Sequence, residues 1–145
     1  MTQESVSEYI APLLARTCKL KHQRMHRLLE GLGLYQGQPS VLRALWKQDG
    51  LMHSELAESL NRSPSTITNM VKRMEKAGFV VRRPDPRDER ISRVYLTGTG
   101  HRIRTAVEDV WRAFEEQVFA GFSEEELTVL RDLLLRMCRN IQGES

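Results

Sequence analysis

At 145 residues the chain is long enough to bury a core without disulfides or metals, as one domain or as a small domain with an attached dimerisation element. No run of about eighteen apolar residues is present, so no membrane span is expected. The net charge of +3 is unevenly spread: residues 62–104 hold eleven Lys/Arg against four Asp/Glu, net +7, and the remainder eleven against fifteen, net −4, which is the footprint of a surface built for a polyanion.

The N-terminus, Met-Thr-Gln-Glu-Ser, lacks the basic region of a secretory leader. Residues 4–31 read as a long helix whose apolar face includes Tyr9, Ile10, Leu13, Leu14, Leu20, Met25, Leu28 and Leu29. Pro12 falls inside it, and a kink or a helix start is expected there. The basic middle of this helix, around Arg16, Lys19, Lys21, Arg24 and Arg27, reads as a solvated face. Gly31, Gly33 and Gly37 then break the chain. A second helix starts at Pro39, buries Val41, Leu42, Leu45 and Trp46, and ends at Asp49-Gly50. Leu51-Met52 adds a very short strand. A third helix, His53 to Leu60, buries Leu56, Ala57 and Leu60, with His53 or Ser54 as its cap.

The fourth helix is strongly signalled. Ser63 is a good N-cap and Pro64 suits the first helical position. Ile67, Met70, Val71 and Met74 form one apolar stripe, and Gly78 stops the helix. Off the stripe lie Ser65, Thr66, Thr68 and Asn69, followed by Lys72 and Arg73. Short hydroxyls and an amide suit base edges in a major groove, while cations suit phosphates. No aromatic interleaves these cations, which argues against a surface that stacks single-stranded bases.

Phe79 to Arg83 and Ile91 to Leu96 read as a hairpin, with Val80, Val94 and Leu96 inward. Its tip carries Arg82, Arg83, Arg87 and Arg90 with Asp85 and Asp88 between them, and Pro84 and Pro86 should hinder pairing there. An arginine on a thin loop can enter a minor groove, posed by a neighbouring carboxylate. Thr97 or Thr99 caps a fifth helix that runs to about Ala120. Ser123 and Glu126 form a capping box for the last helix, which carries Leu127, Leu130, Leu133, Leu134, Met137, Cys138 and Ile141. In that apolar run Cys138 reads as inert core. The first helix and the last two bear more apolar surface than so small a domain can cover, and a second copy is the economical partner.

The run Ser65-Thr-Ile-Thr-Asn-Met-Val-Lys-Arg-Met-Glu-Lys-Ala-Gly-Phe-Val80, with Arg83-Pro-Asp-Pro-Arg-Asp-Glu-Arg90 and Val94-Tyr-Leu-Thr97, resembles the MarR family of winged-helix transcriptional regulators. The family's Asp-x-Arg wing signature corresponds to Asp88-Glu89-Arg90. The resemblance implies a mainly α fold with a small β-wing: a winged helix-turn-helix domain over 35–98, flanked by helices at 1–34 and 99–145 that form a dimerisation region. One position departs from the family, which commonly has Thr or Ser where Met52 stands before the third helix. The two cysteines, Cys18 and Cys138, are far apart and lack metal-ligand spacing, which fits a reducing cytoplasm. The resemblance further implies a homodimer on an inverted-repeat operator in double-stranded DNA, usually as a repressor, often released by a small aromatic ligand or by thiol oxidation.

The expected DNA-binding residues are therefore Arg62, Ser63, Ser65, Thr66, Thr68, Asn69, Lys72, Arg73, Arg87, Asp88 and Arg90. On family grounds a ligand pocket would draw on His22, Met25, His26, Leu29, Trp46 and His101. Cys18 is a candidate redox sensor, with Lys19, Lys21 and His22 near it in sequence. Cys18, His22 and His26 also share a helical spacing of four that a metal could use, although such repeats arise easily. No metal or other cofactor is expected, and no acid–base or nucleophile constellation suggests an enzyme. The alternative function is a winged helix that serves as an architectural or protein-interaction module, without operator specificity.

Overall fold

The computed structural model describes residues 5–143. Six helices and three short strands follow in chain order: α1 (Val6–Glu30), α2 (Gln38–Lys47), β1 (Leu51–Met52), α3 (His53–Ser59), α4 (Pro64–Lys76), β2 (Val80–Pro84), β3 (Ser92–Leu96), α5 (Gly98–Val118) and α6 (Glu124–Gln142). This is the expected mainly helical fold with a small β-wing. No helix among the described residues is long and apolar enough to cross a membrane. The chain divides into two compact units, one ending at Val110 and the other beginning at Trp111.

In the first unit α1 runs unbroken through Pro12. The proline deprives the Glu8 carbonyl of its partner, but this stretch is exposed and water can satisfy it. Residue 4, the expected start, lies outside the described residues. Left-handed Gly37 (φ 81°) precedes α2. Leu34, Val41, Leu42 and Leu45 of the α2 region meet Leu56, Ile67, Val71, Met74, Val80 and Val94 in one core where each side chain is at most 1% exposed. Hydrophobic spacing located nearly all of these residues.

The start of α3 differs from expectation. Neither His53 nor Ser54 caps it. Met52 occupies the cap position, and the Glu55 carboxylate reaches back to accept the Met52 amide at 3.0 Å. Half of a capping box thus secures an end whose cap residue has no oxygen to offer.

The sheet order is β1-β3-β2, all antiparallel. Val80 pairs with Leu96, and Arg83 pairs with Arg93. Val80, Val94 and Leu96 face the core as expected. Pairing continues through Pro84, opposite Ser92, and the Asp85 amide donates to the Ile91 carbonyl at 2.7 Å. Proline lacks a donor but keeps its carbonyl and extended backbone, so an edge strand accommodates it. The Thr97 hydroxyl caps α5 by accepting the Gly100 amide at 3.1 Å, and it donates to the Gly78 carbonyl.

In the second unit, Gly121 adopts φ 83° and the Ser123–Glu126 capping box forms in both directions. No residue of α6 is buried. Leu133, Leu134, Leu135 and Ile141 are all exposed, and so is Cys138, contrary to its reading as core. Periodicity identifies an apolar face but does not say whether the same chain covers it.

Two glycines allow a test of backbone packing. A Cβ on Gly100 would sit 2.1 Å from the Phe79 carbonyl oxygen, whereas one on Gly78 (φ 88°) would meet open space. Gly100→Ala should lower stability by about 1–3 kcal/mol through overpacking. Gly78→Ala should cost about 1–2 kcal/mol through left-handed strain alone. Urea denaturation measures both, and a restructured β2–α5 junction in the Gly100 variant only would separate the causes.

Candidate nucleic-acid interface

The α4 helix has two chemically distinct sides. Ile67, Val71 and Met74 are fully buried. At 100° per residue, Ser65, Asn69 and Lys72 then lie opposite this stripe, with Arg73 and Thr66 on one flank and Thr68 on the other. Ser65, Thr66, Asn69, Lys72 and Arg73 are exposed, as are Arg62 and Ser63 ahead of the helix.

Local bonds already engage several of these groups. Ser63 Oγ accepts the Thr66 amide at 3.2 Å, and it lies 2.7 Å from Thr66 Oγ1 and 3.2 Å from Ser65 Oγ. Thr68 is half-buried, with its hydroxyl 3.4 Å from His53 Nδ1. Asn69 makes no side-chain hydrogen bond among the described residues. Its amide can donate and accept at once, which bidentate reading of adenine requires.

At the wing, Arg82 belongs to the body of the hairpin and not to its tip. Its Nε and Nη2 donate to Glu75 Oε1 at 3.1 and 2.9 Å, and its amide donates to Glu75 Oε2 at 2.8 Å. Arg83 lies over the Tyr95 ring, 5.8 Å from its centroid. Arg87 is exposed. Arg90 is 92% exposed, yet its Nε donates to Asp88 Oδ1 at 3.1 Å and its Nη2 reaches Asp88 Oδ2 at 3.5 Å. An exposed pair of this kind contributes roughly 0–1 kcal/mol to folding. Its consequence is a preferred direction for the guanidinium, toward which the pair biases it.

Asp85 anchors the turn. It is only 7% exposed, and its Oδ1 accepts the amides of Arg87 and Asp88 at 2.7 and 3.2 Å. Its other oxygen accepts Arg93 Nε. The Arg93 guanidinium, and then the Arg87 amide, hold the Asp85 carboxyl below the usual carboxylate range. Arg82 holds Glu75 down in the same way.

Sequence reasoning missed Glu75, Arg93 and Glu55. Two signals could have exposed them. Glu75 is the one acidic residue in α4, and Arg93 stands directly opposite Arg83 in the ladder, where like charges need a counterion.

The candidate pocket residues occupy the first unit. His22 and His101 are exposed, while Met25, His26 and Trp46 are half-buried and Leu29 is buried. Trp46 Nε1 donates to the Gly100 carbonyl at 2.9 Å, tying α2 to the start of α5, and Arg104 lies over its ring. His26 pairs with Glu30 at 2.9 Å, and His101 lies 3.9 Å from Asp49. Cys18 is exposed. The proposed Cys18–His22–His26 metal stripe does not assemble: among the described residues no group of three His, Cys, Asp or Glu is arranged to hold a metal ion.

Comparison with known proteins meets this geometry directly. The MarR family model matches residues 34–92. The HTH-type transcriptional regulator YdgJ of Bacillus subtilis is 34% identical over 112 residues, covering 77% of this chain and 68% of that protein. The chain belongs to the MarR family. It is a transcriptional regulator with a DNA-binding winged helix. The HTH-type transcriptional repressor IacR of Pseudomonas putida is 30% identical over 129 residues, covering 89% of this chain and 77% of that protein. A point mutant of MepR from S. aureus, solved bound to an oligodeoxyribonucleotide, shares the fold with a TM-score of 0.65 at 24% identity, over 95% of this chain and 99% of that one.

Burial of His53 opposes its protonation, and a pH dependence of stability is the expected outcome. Its Nε2 is buried without a hydrogen-bond partner. Burial first, and then the Arg82 charge, lower its pKa from the ordinary 6.5, against the opposing effect of Glu75. The unfolded chain therefore takes up this proton before the folded one does, so stability declines as pH falls through about 6.5. Glu75 and Asp85 have depressed folded pKa values, so their contribution is lost only at lower pH, as it falls through those values. His53→Gln should flatten the loss of stability between about pH 7 and 5.5 while leaving the steeper acid loss in place. Urea titrations at the two pH values measure the difference, and an unchanged slope would exclude His53 as its source.

Proposed function

We propose that the protein is a homodimeric repressor that binds an inverted-repeat operator in double-stranded DNA. The carrying observation is the pairing of an exposed α4 face bearing Ser65, Asn69 and Lys72 with a wing that presents Arg90 fully to solvent, posed by Asp88. In this reading Ser65, Thr66, Thr68 and Asn69 meet major-groove edges. Ser63, Arg62, Lys72 and Arg73 meet phosphates, and Arg90 enters the minor groove with Arg87 in support. The exposed apolar faces of α1 (Val6, Ile10, Leu13) and α6 (Leu133, Leu134, Ile141) favour a second copy as their cover. Two-fold symmetry would then set two recognition helices about one helical turn of DNA apart. The relationship to a named repressor, IacR, supports the sign of regulation. Release would follow binding of a small aromatic ligand near His22, Met25, His26, Trp46 and His101, where the imidazoles could meet its acidic group.

Selection from a genomic fragment library at near-physiological salt should recover one short inverted repeat, and sedimentation should give twice the 16.8 kDa chain mass. Diffuse recovery would instead indicate an architectural module. On the recovered site, Arg90→Ala should weaken binding to every sequence and lower the salt slope by about 1. Asn69→Ala should cost about 1–3 kcal/mol at one base position per half-site and relax preference there. If Asn69→Ala weakened all sequences equally, Asn69 would not be a base reader.

A further inference from the structure

We infer that Arg93 is a positioning residue: a latch that fastens the wing turn to the helix-turn-helix body and so sets the pose of Arg90. This rests on the proposed role of Arg90 at DNA.

Arg93 occupies an unfavourable place for a cation. It lies in β3, the central strand, between Met52 of β1 and Arg83 of β2. Like charges directly opposite each other destabilise a ladder. Two hydrogen-bond acceptors and one nearby carboxylate offset the charge. Arg93 Nε donates to Asp85 Oδ2 at 2.5 Å, Nη1 donates to the Gly50 carbonyl at 2.9 Å, and Nη1 lies 3.6 Å from Glu55 Oε1.

These groups belong to different parts of the unit. Gly50 immediately precedes β1, and Glu55 is the carboxylate that caps α3 through the Met52 amide. Asp85 is in the wing turn, where its second oxygen gathers the amides of Arg87 and Asp88. Asp88 in turn accepts both the backbone amide and Nε of Arg90, each at 3.1 Å. A continuous polar chain therefore runs from the start of α3 through Arg93, Asp85 and Asp88 to the exposed guanidinium. Arg93 is 29% exposed and its donors point inward along this chain, whereas Arg90 is 92% exposed. The two arginines divide the work: one holds, the other reaches.

A latch of this kind acts by removing in advance the ordering cost of binding. Without it the turn amides lose their shared acceptor geometry and Arg90 samples many poses. The forked guanidinium is what the arrangement needs, because lysine cannot span Asp85 and Gly50 with parallel donors.

The test is a double-mutant cycle on DNA binding, joined to backbone NMR of the free protein. Arg93→Gln should weaken operator binding three- to tenfold, roughly the ordering of one or two side chains. It should broaden or shift the amides of Arg87, Asp88 and Arg90 while leaving those of α4 in place. Arg93→Lys should recover only part of the loss. In an Arg90→Ala background, Arg93→Gln should add less than about twofold, since the residue it positions is gone. Asp85→Asn, which keeps an oxygen for the turn amides but removes the charge facing Arg93, is the second variant should Arg93→Gln fold poorly, and it should show the same non-additivity. Additive losses in the cycle would mean that Arg93 meets DNA itself and would overturn the latch. Unmoved wing amides would overturn it as well. A neutral Arg90→Ala would sink the wing-contact reading by itself, and the wing amides would still decide whether Arg93 holds the turn.

Discussion

Burial of one stripe of α4 constrains everything around it. With Ile67, Val71 and Met74 wholly inside, the helix has no rotational freedom, and Ser65, Asn69 and Lys72 are obliged to face outward. Rotating the helix by even one residue, about 100°, would expose two or three large apolar side chains at about 1.5–3 kcal/mol each. The core partners of this stripe come from α2, α3 and the sheet, so the same contacts that stabilise the unit also aim its polar face. Stability and presentation of the polar face are one packing problem here.

The wing solves a different problem, that of holding exposed charge still. Too few apolar groups are available at a hairpin tip to fix it by packing. Hydrogen bonds to carboxylates do so instead, with Glu75 on Arg82, Asp85 on Arg93 and two turn amides, and Asp88 on Arg90. The gradation of exposure is informative. The inner arginines, Arg82 and Arg93, have side chains 35% and 29% exposed, and Arg90 stands at 92%. Charge that braces the hairpin is drawn in, and charge available to a partner is left outside.

His53 joins these two systems. It starts α3, its Nδ1 faces the Thr68 hydroxyl on α4, and Arg82 and Glu75 bear on its charge. Its neutral form suits a place beside Arg82, where a second positive charge would be repelled.

Most of the fold was legible in the sequence because it follows from short-range chemistry. Ser63-Pro64 and Gly78 bracket α4, hydrophobic spacing marks Ile67, Val71 and Met74, and Ser123 with Glu126 starts α6. The exposed character of Ser65, Asn69, Lys72 and Arg90 was legible for the same reason, since a helical period or a hairpin tip places a residue without knowledge of its distant neighbours. Charge partners were not. Glu75 meets Arg82 across a turn, and Arg93 meets Asp85, Gly50 and Glu55 across 8, 43 and 38 positions of chain, which only strand register brings together. The start of α3 was misjudged because the capping oxygen comes from Glu55, three residues inside, and not from the cap position. The fate of Cys138 was misjudged because periodicity shows that a face is apolar but not what covers it. Local propensity and period are properties of the chain; which donor finds which acceptor, and which apolar face finds a cover, depend on three-dimensional proximity, and that only the tertiary structure decides.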